Sequence, residues 1–293
     1  GRPRLYGQKG GSRSVFSGPV FAMAWINGTL EAQNRLILPE DGNVFGFAYG
    51  DMMHDGSEST VIFNKDNQLQ LSSASGREEC TSVEQYGGKY TWLITAEEYQ
   101  QSQKLSGTFV DPLPEKLVYV PQRIILTDFD RDGRNEVLVV KNEDSTRGLM
   151  TRVRSYREGR FENLAWDNVG MRAVWRTRKF SGYISDYNLG DFDNDGDSDL
   201  AVGNLWDQAN FLFVNNGDGT FRNVAAEAGA NLAVYAKGVG AGDLNNDGRP
   251  DIFISVINGP NHLLLNDGVK NAVPQFRDVS ESSGIREPLQ GFP

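Results

Sequence analysis

The residues best equipped for chemistry are the acids of Asp191-Phe-Asp193-Asn-Asp195-Gly196-Asp197-Ser-Asp199, which stand at every second position of a nine-residue run. Five carboxylates so close together repel one another unless a cation sits among them. A cation satisfied by a short run of carboxylates is a hard one. Ca²⁺ takes six to eight oxygens at about 2.3–2.6 Å. Gly196 supplies the sharp turn that lets Asp191, Asp193 and Asp195 face one point, Asp197 then offers its backbone carbonyl, and Asp199 closes the shell from the far side. An EF-hand begins in the same way but needs a bidentate Glu at its twelfth position and a helix on each side. The twelfth position here is Val202, within the apolar run Leu200-Ala201-Val202, so the loop is expected to be the turn of a β-hairpin.

The pattern recurs. Asp128, Asp130, Asp132, Gly133 and Glu136 keep positions one, three, five, six and nine, with Glu at the last; Asp243, Asn245, Asp247, Gly248 and Asp251 keep them with Asn at the third. A first copy, with Asp51, Asp55, Gly56 and Ser57, has Met53 and Ser59 where positions three and nine need acids, and is expected to hold metal weakly or not at all. The copies begin at 51, 128, 191 and 243, spacings of 77, 63 and 52 residues. Such periods signal one supersecondary unit per repeat.

The elements that must carry these loops are short strands. Val20–Trp25 and Thr29–Leu38 flank Asn27-Gly28, a strong hairpin signal. Apolar segments enter and leave each acid loop, as in Val44–Tyr49 and Thr60–Asn64, Val118–Thr127 and Glu136–Lys141, or Tyr183–Gly190 and Leu200–Val202. Strands are also expected at Gln68–Ser72, Leu149–Tyr156 and Arg160–Trp166, and a short helical insertion at Glu97–Gln101. In the last two copies Phe211-Leu-Phe-Val-Asn215-Asn-Gly217 answers His262-Leu-Leu-Leu-Asn266-Asp-Gly268. A final Phe-led strand runs from Phe221 towards Gly229 and from Phe276 towards Gly284. Each unit is thus four antiparallel strands, a propeller blade. The expected fold is all-β, a single β-propeller domain over 1–293 with five blades, an incomplete seven-bladed ring being the alternative. Its parts would be an arm at 1–18, a partial blade at 19–43, a blade with an insertion at 44–120, and blades at 121–182, 183–235 and 236–293. A ring left open would bare strand edges to other chains.

The formal net charge is −10, and the four loops place fourteen acids at ligand positions, so much of that charge belongs to the loops. An acidic chain has no basic face for nucleic acid, and no apolar run reaches the roughly 18 residues of a membrane helix. Cys80 is the sole cysteine, which excludes an internal disulfide and CxxC metal sites. Residues 171–182, with Trp175, Arg176, Arg178 and Lys179, form a basic and aromatic cluster better explained by an exposed face or a contact between blades than by a ligand. Neither His54 nor His262 lies in a nucleophile motif, so no catalytic residue is assigned. The chain starts at Gly1-Arg-Pro-Arg without a leader, as an excised piece of a longer protein would.

These loops resemble those of the FG-GAP/VCBS repeat proteins, whose calcium-loop propellers include the head of the integrin alpha chain. The resemblance spans roughly residues 15 to 285. The part from 205 to 293, with Asn215-Asn-Gly-Asp-Gly-Thr-Phe221, is similar to cartilage acidic protein and UnbV-type repeats, and the part from 15 to 205 to propellers of bacterial envelope proteins. The resemblance implies that each loop joins the first and second strands of its blade. It implies about three Ca²⁺ sites: Asp128, Asp130, Asp132 and Glu136; Asp191, Asp193, Asp195 and Asp199; and Asp243, Asn245, Asp247 and Asp251. Backbone oxygens would come from Arg134, Asp197 and Arg249. It further implies a non-enzymatic, extracytoplasmic module, in a bacterial envelope or secreted, that binds a protein or glycan or assembles into a larger complex. A propeller lyase or hydrolase and a structural subunit of a surface layer or filament are the alternatives.

Overall fold

The computed structural model describes residues 4–40, 42–88, 90–95, 97, 118–145, 155–205, 208–217, 220–257 and 259–285. Asn27 and Gly28 both take positive φ, 50° and 83°, the backbone of a two-residue turn whose twist matches that of the flanking strands. That turn joins β2 (Ser17–Ile26) to β3 (Thr29–Arg35), and β1 (Leu5–Lys9), drawn from the expected arm, pairs with β2 in a three-stranded sheet. The second sheet runs in order β4 (Phe47–Gly50), β5 (Ser59–Phe63), β6 (Gln68–Ser73) and β7 (Glu78–Gln85). A two-stranded ribbon of β8 (Trp92–Leu93) and β9 (Val118–Tyr119) follows.

The third sheet is β10 (Ile125–Thr127), β11 (Glu136–Asp144), β12 (Tyr156–Trp166) and β13 (Met171–Arg176), with β14 (Phe180–Ser181) paired to β12. The fourth is β15 (Ile184–Gly190), β16 (Asp199–Asn204), β17 (Phe211–Asn215) and β18 (Phe221–Asn223). The fifth is β19 (Ala236–Gly242), β20 (Asp251–Val256), β21 (His262–Lys270) and β22 (Val273–Asp278). The protein is all-β, a β-propeller with five blades among the described residues. All but the first residue of the insertion expected at 97–101 and most of the strand expected at 149–156 lie outside those residues.

Second strands are the most deeply set. Every residue of β5 and of β16 is buried, which is why Val61-Ile62-Phe63 and Leu200-Ala201-Val202 show as unbroken apolar runs rather than alternating ones. The expected Phe-led strand from 221 is corrected: β18 ends at Asn223, and Ala225–Ala228 form a helical turn, α1, closed by Gly229 at φ 75°. Ala225 and Ala228, three apart on one side of that turn, are buried.

The chain divides into two compact units, one of Gly1–Leu126, Asn135–Val139 and Asn163–Val174, the other of Thr127–Arg134, Val140–Glu162 and Trp175–Pro293. The first has a core of Met52, Val61, Leu69, Leu71, Val137 and Leu164, among others. The second is centred on Phe192, Leu212, Val239, Ile252, Ile254 and Leu264. Both cores form because apolar strand faces leave water, at about 25 cal/mol per Å².

Two surface features bear on function. The basic cluster at 171–182 packs and pairs. Trp175 lies against Phe129 and Phe221, at 6.0 and 5.5 Å between ring centres, Arg176 meets the buried Glu162 at 3.1 Å, and Lys179 reaches Glu143 and Glu158. The first sheet, by contrast, has an apolar face in the open. Leu5 stands opposite Met23 and Met23 opposite Ala32, with Trp25 opposite Leu30, so all five side chains share one face. Trp25 is 73% exposed and Leu5 53%, while Tyr6 on the other face packs edge-on against Phe47.

Candidate metal centres

The four acid loops share one backbone. Each joins the first and second strands of its blade, from the second blade to the fifth. Position four is left-handed in all of them, at His54, Arg131, Asn194 and Asn246 (φ 59°, 61°, 59° and 59°), and so is the glycine at position six (φ 80°, 88°, 90° and 86°). Only glycine takes the second of these at no steric cost. The acids brace the turn themselves. The position-one carboxylate accepts the position-six amide through Oδ2 in every copy, at 3.0 Å from Gly56, Gly133 and Gly196 and 2.9 Å from Gly248. The position-five carboxylate accepts the amide two residues on, from Ser57, Arg134, Asp197 and Arg249.

What differs is the oxygen left over. In the second and fifth blades the position-one Oδ1 also accepts an amide, Asp51 from Asp55 and Asp243 from Asp247. In the third and fourth blades Asp128 Oδ1 and Asp191 Oδ1 are buried with no partner among the described residues, as are Asp193 Oδ1 and Asp197 Oδ1. Buried acceptors are almost always paired, so each of these oxygens calls for a donor or a cation. The same two loops gather their acids: the ligand atoms of Asp128, Asp130, Asp132 and Glu136 lie within 4.8 Å of one another, and so do those of Asp191, Asp193 and Asp195. An all-oxygen set with unpaired carboxylates fits Ca²⁺. In the fifth blade Asp247 is already neutralised by Arg249 at 2.6 Å and accepts from Asn245.

Position nine is placed differently from the other acids. Asp199 accepts from Phe192 and Asp193 through Oδ2, at 2.8 and 3.3 Å, and from Asn215 through Oδ1 at 2.9 Å. Asp251 repeats this with Leu244 and Asn266. In the second blade Ser59 Oγ takes the equivalent amide, that of Met52, at 3.3 Å. At these three positions the side chain ties the loop's entry to the second strand, and in the fourth and fifth blades to the third strand as well.

Asn215 and Asn266 hold roles that the acid pattern does not reveal. Each caps the following glycine amide through its Oδ1 and donates its Nδ2 to the carbonyl just before position nine, of Ser198 or Pro250. The repeated Asn-x-Gly is the signal in the sequence that marks them. Two asparagines also bind an earlier blade's loop, Asn135 Nδ2 at the Asp51 carbonyl (2.8 Å) and Asn266 Nδ2 at the Phe192 carbonyl (2.9 Å).

Burial dominates the titration of the fourth-blade loop. It pushes Asp199 up to about 7, pushes Asp197 up to about 6 with help from the charge of Asp195, and raises Asp193, where the negative charges of Asp195 and Asp191 add to it. Between the ordinary Asp value and about 7 the metal-free fold therefore binds more protons than the unfolded chain, so its stability falls as pH rises. Metal-stripped protein is expected to melt higher at pH 5.5 than at pH 8, and saturating Ca²⁺ to flatten or reverse that order. Scanning fluorimetry at the two pH values checks it; a metal-free midpoint that rises with pH would contradict the assignment.

Away from the loops, a cavity of about 540 Å³ in the first unit is lined by Phe16, Val20, Leu36, Phe63 and Tyr119, with Glu40 as its one acid among the described residues. His262 Nδ1 faces Asp278 Oδ2 at 3.1 Å, and among the described residues no helix is long and apolar enough to cross a membrane.

Residues 191–254 match the FG-GAP-like repeat family. Cartilage acidic protein 1 of Xenopus tropicalis is 26% identical over 216 residues, covering 52% of this chain and 33% of that protein. That of Mus musculus is 29% identical over 181 residues, covering 56% and 26%. The chain thus spans a third or less of the curated relatives it matches. Among solved structures, that of BBS1N in complex with ARL6DN has a TM-score of 0.41 at 11% identity, covering 81% of this chain and 54% of that one. From the loop at 191 to β20 the chain matches an FG-GAP-like repeat, and over about half of its length it is similar to cartilage acidic protein 1.

Proposed function

We propose that the chain is a non-enzymatic, calcium-binding recognition module that works outside the cytoplasm, its loops stiffened by Ca²⁺ and its surfaces open to a protein or glycan. The observation that carries this reading is the set of buried, unpartnered carboxylate oxygens on Asp128, Asp191 and Asp193. Asp128, Asp130, Asp132 and Glu136 hold one ion, Asp191, Asp193 and Asp195 another, and Asp243, Asn245 and Asp247 a weaker third. Bound there, the ion neutralises acids that otherwise repel. It supplies rigidity rather than turnover, since acids saturated by metal are poor general bases. The cavity with Glu40 offers no second acid among the described residues to work against the first. Loops of this charge count suit affinities of about 10⁻⁴–10⁻³ M, which match calcium-rich surroundings outside cells. Elemental analysis after dialysis against millimolar CaCl₂ and MgCl₂ is expected to find calcium retained and magnesium not; protein free of both would sink the reading.

Assembly is favoured by a separate observation, the open apolar face of Leu5, Met23, Trp25, Leu30 and Ala32 beside a fully exposed edge strand, β3. Such patches mark contact surfaces, and bare edges accept further strands. Sedimentation of the native chain at tens of micromolar is expected to show association that Trp25→Glu abolishes. A native chain that stays monomeric over that range would rule this out.

A further inference from the structure

Position seven of the loop carries a cation in the fifth blade and an anion in the fourth. In the fifth, Arg249 folds back so that Nε donates to the Asn266 carbonyl at 2.7 Å and Nη2 to Asp247 Oδ2 at 2.6 Å. Its guanidinium fills the space between the position-five acid and the irregular stretch of the third strand that begins at Asn266.

The frame around that space is repeated bond for bond in the fourth blade. The Arg249 amide donates to Asp247 Oδ1 at 2.9 Å, and the Asp197 amide to Asp195 Oδ1 at 3.0 Å. Asn266 donates its amide to Asp251 Oδ1, and Asn215 to Asp199 Oδ1, both at 2.9 Å. Gly268 donates to Asn266 Oδ1 at 3.0 Å, and Gly217 to Asn215 Oδ1 at 3.1 Å. The side chain of Asp197 also lies against its turn, since a methyl group on Gly217 would stand 3.6 Å from Asp197 Oδ2.

The occupant of this frame is reversed in charge. Asp197 is only 8% exposed, and its Oδ1 is buried without a partner. Arg131, from the loop of the third blade, comes within 3.5 Å of where a Gly196 methyl would sit and offsets part of the Asp197 charge, yet among the described residues it leaves that oxygen without a hydrogen bond. Exchanging guanidinium for carboxylate removes a positive charge from beside the position-five acid and adds a negative one. A buried carboxylate in that setting is tolerated only with a compensating charge.

We propose that the fourth blade binds a second Ca²⁺ in this frame, separate from the ion held by Asp191, Asp193 and Asp195. Asp197 Oδ1 is its principal ligand, the Asp195 carboxylate bridges the two ions, and the Asn215 carbonyl stands where that of Asn266 meets Arg249. Oxygen-only donors and a shared carboxylate suit a cation with flexible, high coordination. The proposal rests on the calcium reading of the loop.

The test counts ions. Metal-stripped full chain is dialysed to equilibrium against millimolar CaCl₂, and bound calcium is measured for the native protein, Asp197→Asn and Asp197→Arg. Each variant is expected to bind one ion fewer than the native chain. Asp197→Arg, which installs the fifth blade's guanidinium, is also expected to melt higher than the native chain in metal-free buffer; Asp197→Asn serves alone if the arginine variant does not fold. An unchanged count in Asp197→Asn overturns the proposal. A loss of two ions overturns it as well, because Asp197 would then serve the primary ion. Binding of no calcium by the native chain is a different result, the failure of the calcium reading itself.

Discussion

Transfer from 10 mM CaCl₂ to EGTA is expected to lower the unfolding midpoint by roughly 10 °C or more, and an equal concentration of MgCl₂ to restore little of it. A ligand bound only by the folded state stabilises it by RT ln(1 + [L]/Kd), about 1.4–2.7 kcal/mol per site when the ion is ten to a hundred times Kd. Two or three sites then contribute about 3–8 kcal/mol, and in a chain of this size each kcal/mol moves the midpoint by roughly 2–4 °C. The effect is concentrated where Asp128, Asp191 and Asp193 keep unpaired oxygens. Asp193→Ala is therefore expected to remove the fourth blade's share of the shift while leaving the midpoint in EGTA almost unchanged. Calorimetry of metal-stripped protein decides the matter, and coincident midpoints in calcium and EGTA would end the argument that these loops hold metal.

Asp199→Ala is expected to behave in the opposite way, with a loss of about 3 kcal/mol or more whether or not calcium is present. The carboxylate is wholly buried and accepts three amides, those of Phe192, Asp193 and Asn215. Removing it strands buried donors, at about 1–3 kcal/mol each. Asp199→Asn, which keeps a carbonyl acceptor but puts an NH₂ group against an amide donor, is expected to fall between. Urea denaturation in both buffers separates the roles. A loss confined to the calcium buffer would make Asp199 a metal ligand and not a strut.

The loops were legible because their chemistry is local. Alternating acids, a glycine at six and an apolar exit are read within nine residues, and the left-handed φ of Gly196 and Gly248 is what that glycine was there to supply. The hairpin at Asn27-Gly28 was legible for the same reason. What sequence could not give was the partner of each acid. Asp199 and Asp251 read as ligands because they are acids at the ninth position, and the structure adds that both oxygens of each accept amides, one of them from a third strand 15 or more residues away. The orphan oxygens that separate the third and fourth blades from the second and fifth are likewise three-dimensional facts. Helix α1 was missed for a subtler reason: Ala-Ala-Glu-Ala has strong helix propensity, but four residues behind a Phe-led strand carry too little periodicity to outweigh the strand reading. Ser59 has the look of a lost ligand, and its hydroxyl holds the same bond that a carboxylate holds elsewhere.

The asparagine bonds that reach another blade's acid loop run one way. Asn135 reaches back to the loop at Asp51, and Asn266 to the loop at Phe192, each from a later blade to an earlier one. On a ribosome, then, a loop is finished only after the blade behind it has emerged. A nascent chain halted between β20 and β21 carries the acids of the fourth-blade loop but lacks the amide that pins its entry. Metal capture during synthesis would thus lag emergence by one blade, and a clean cut between the last two blades would damage the one left behind.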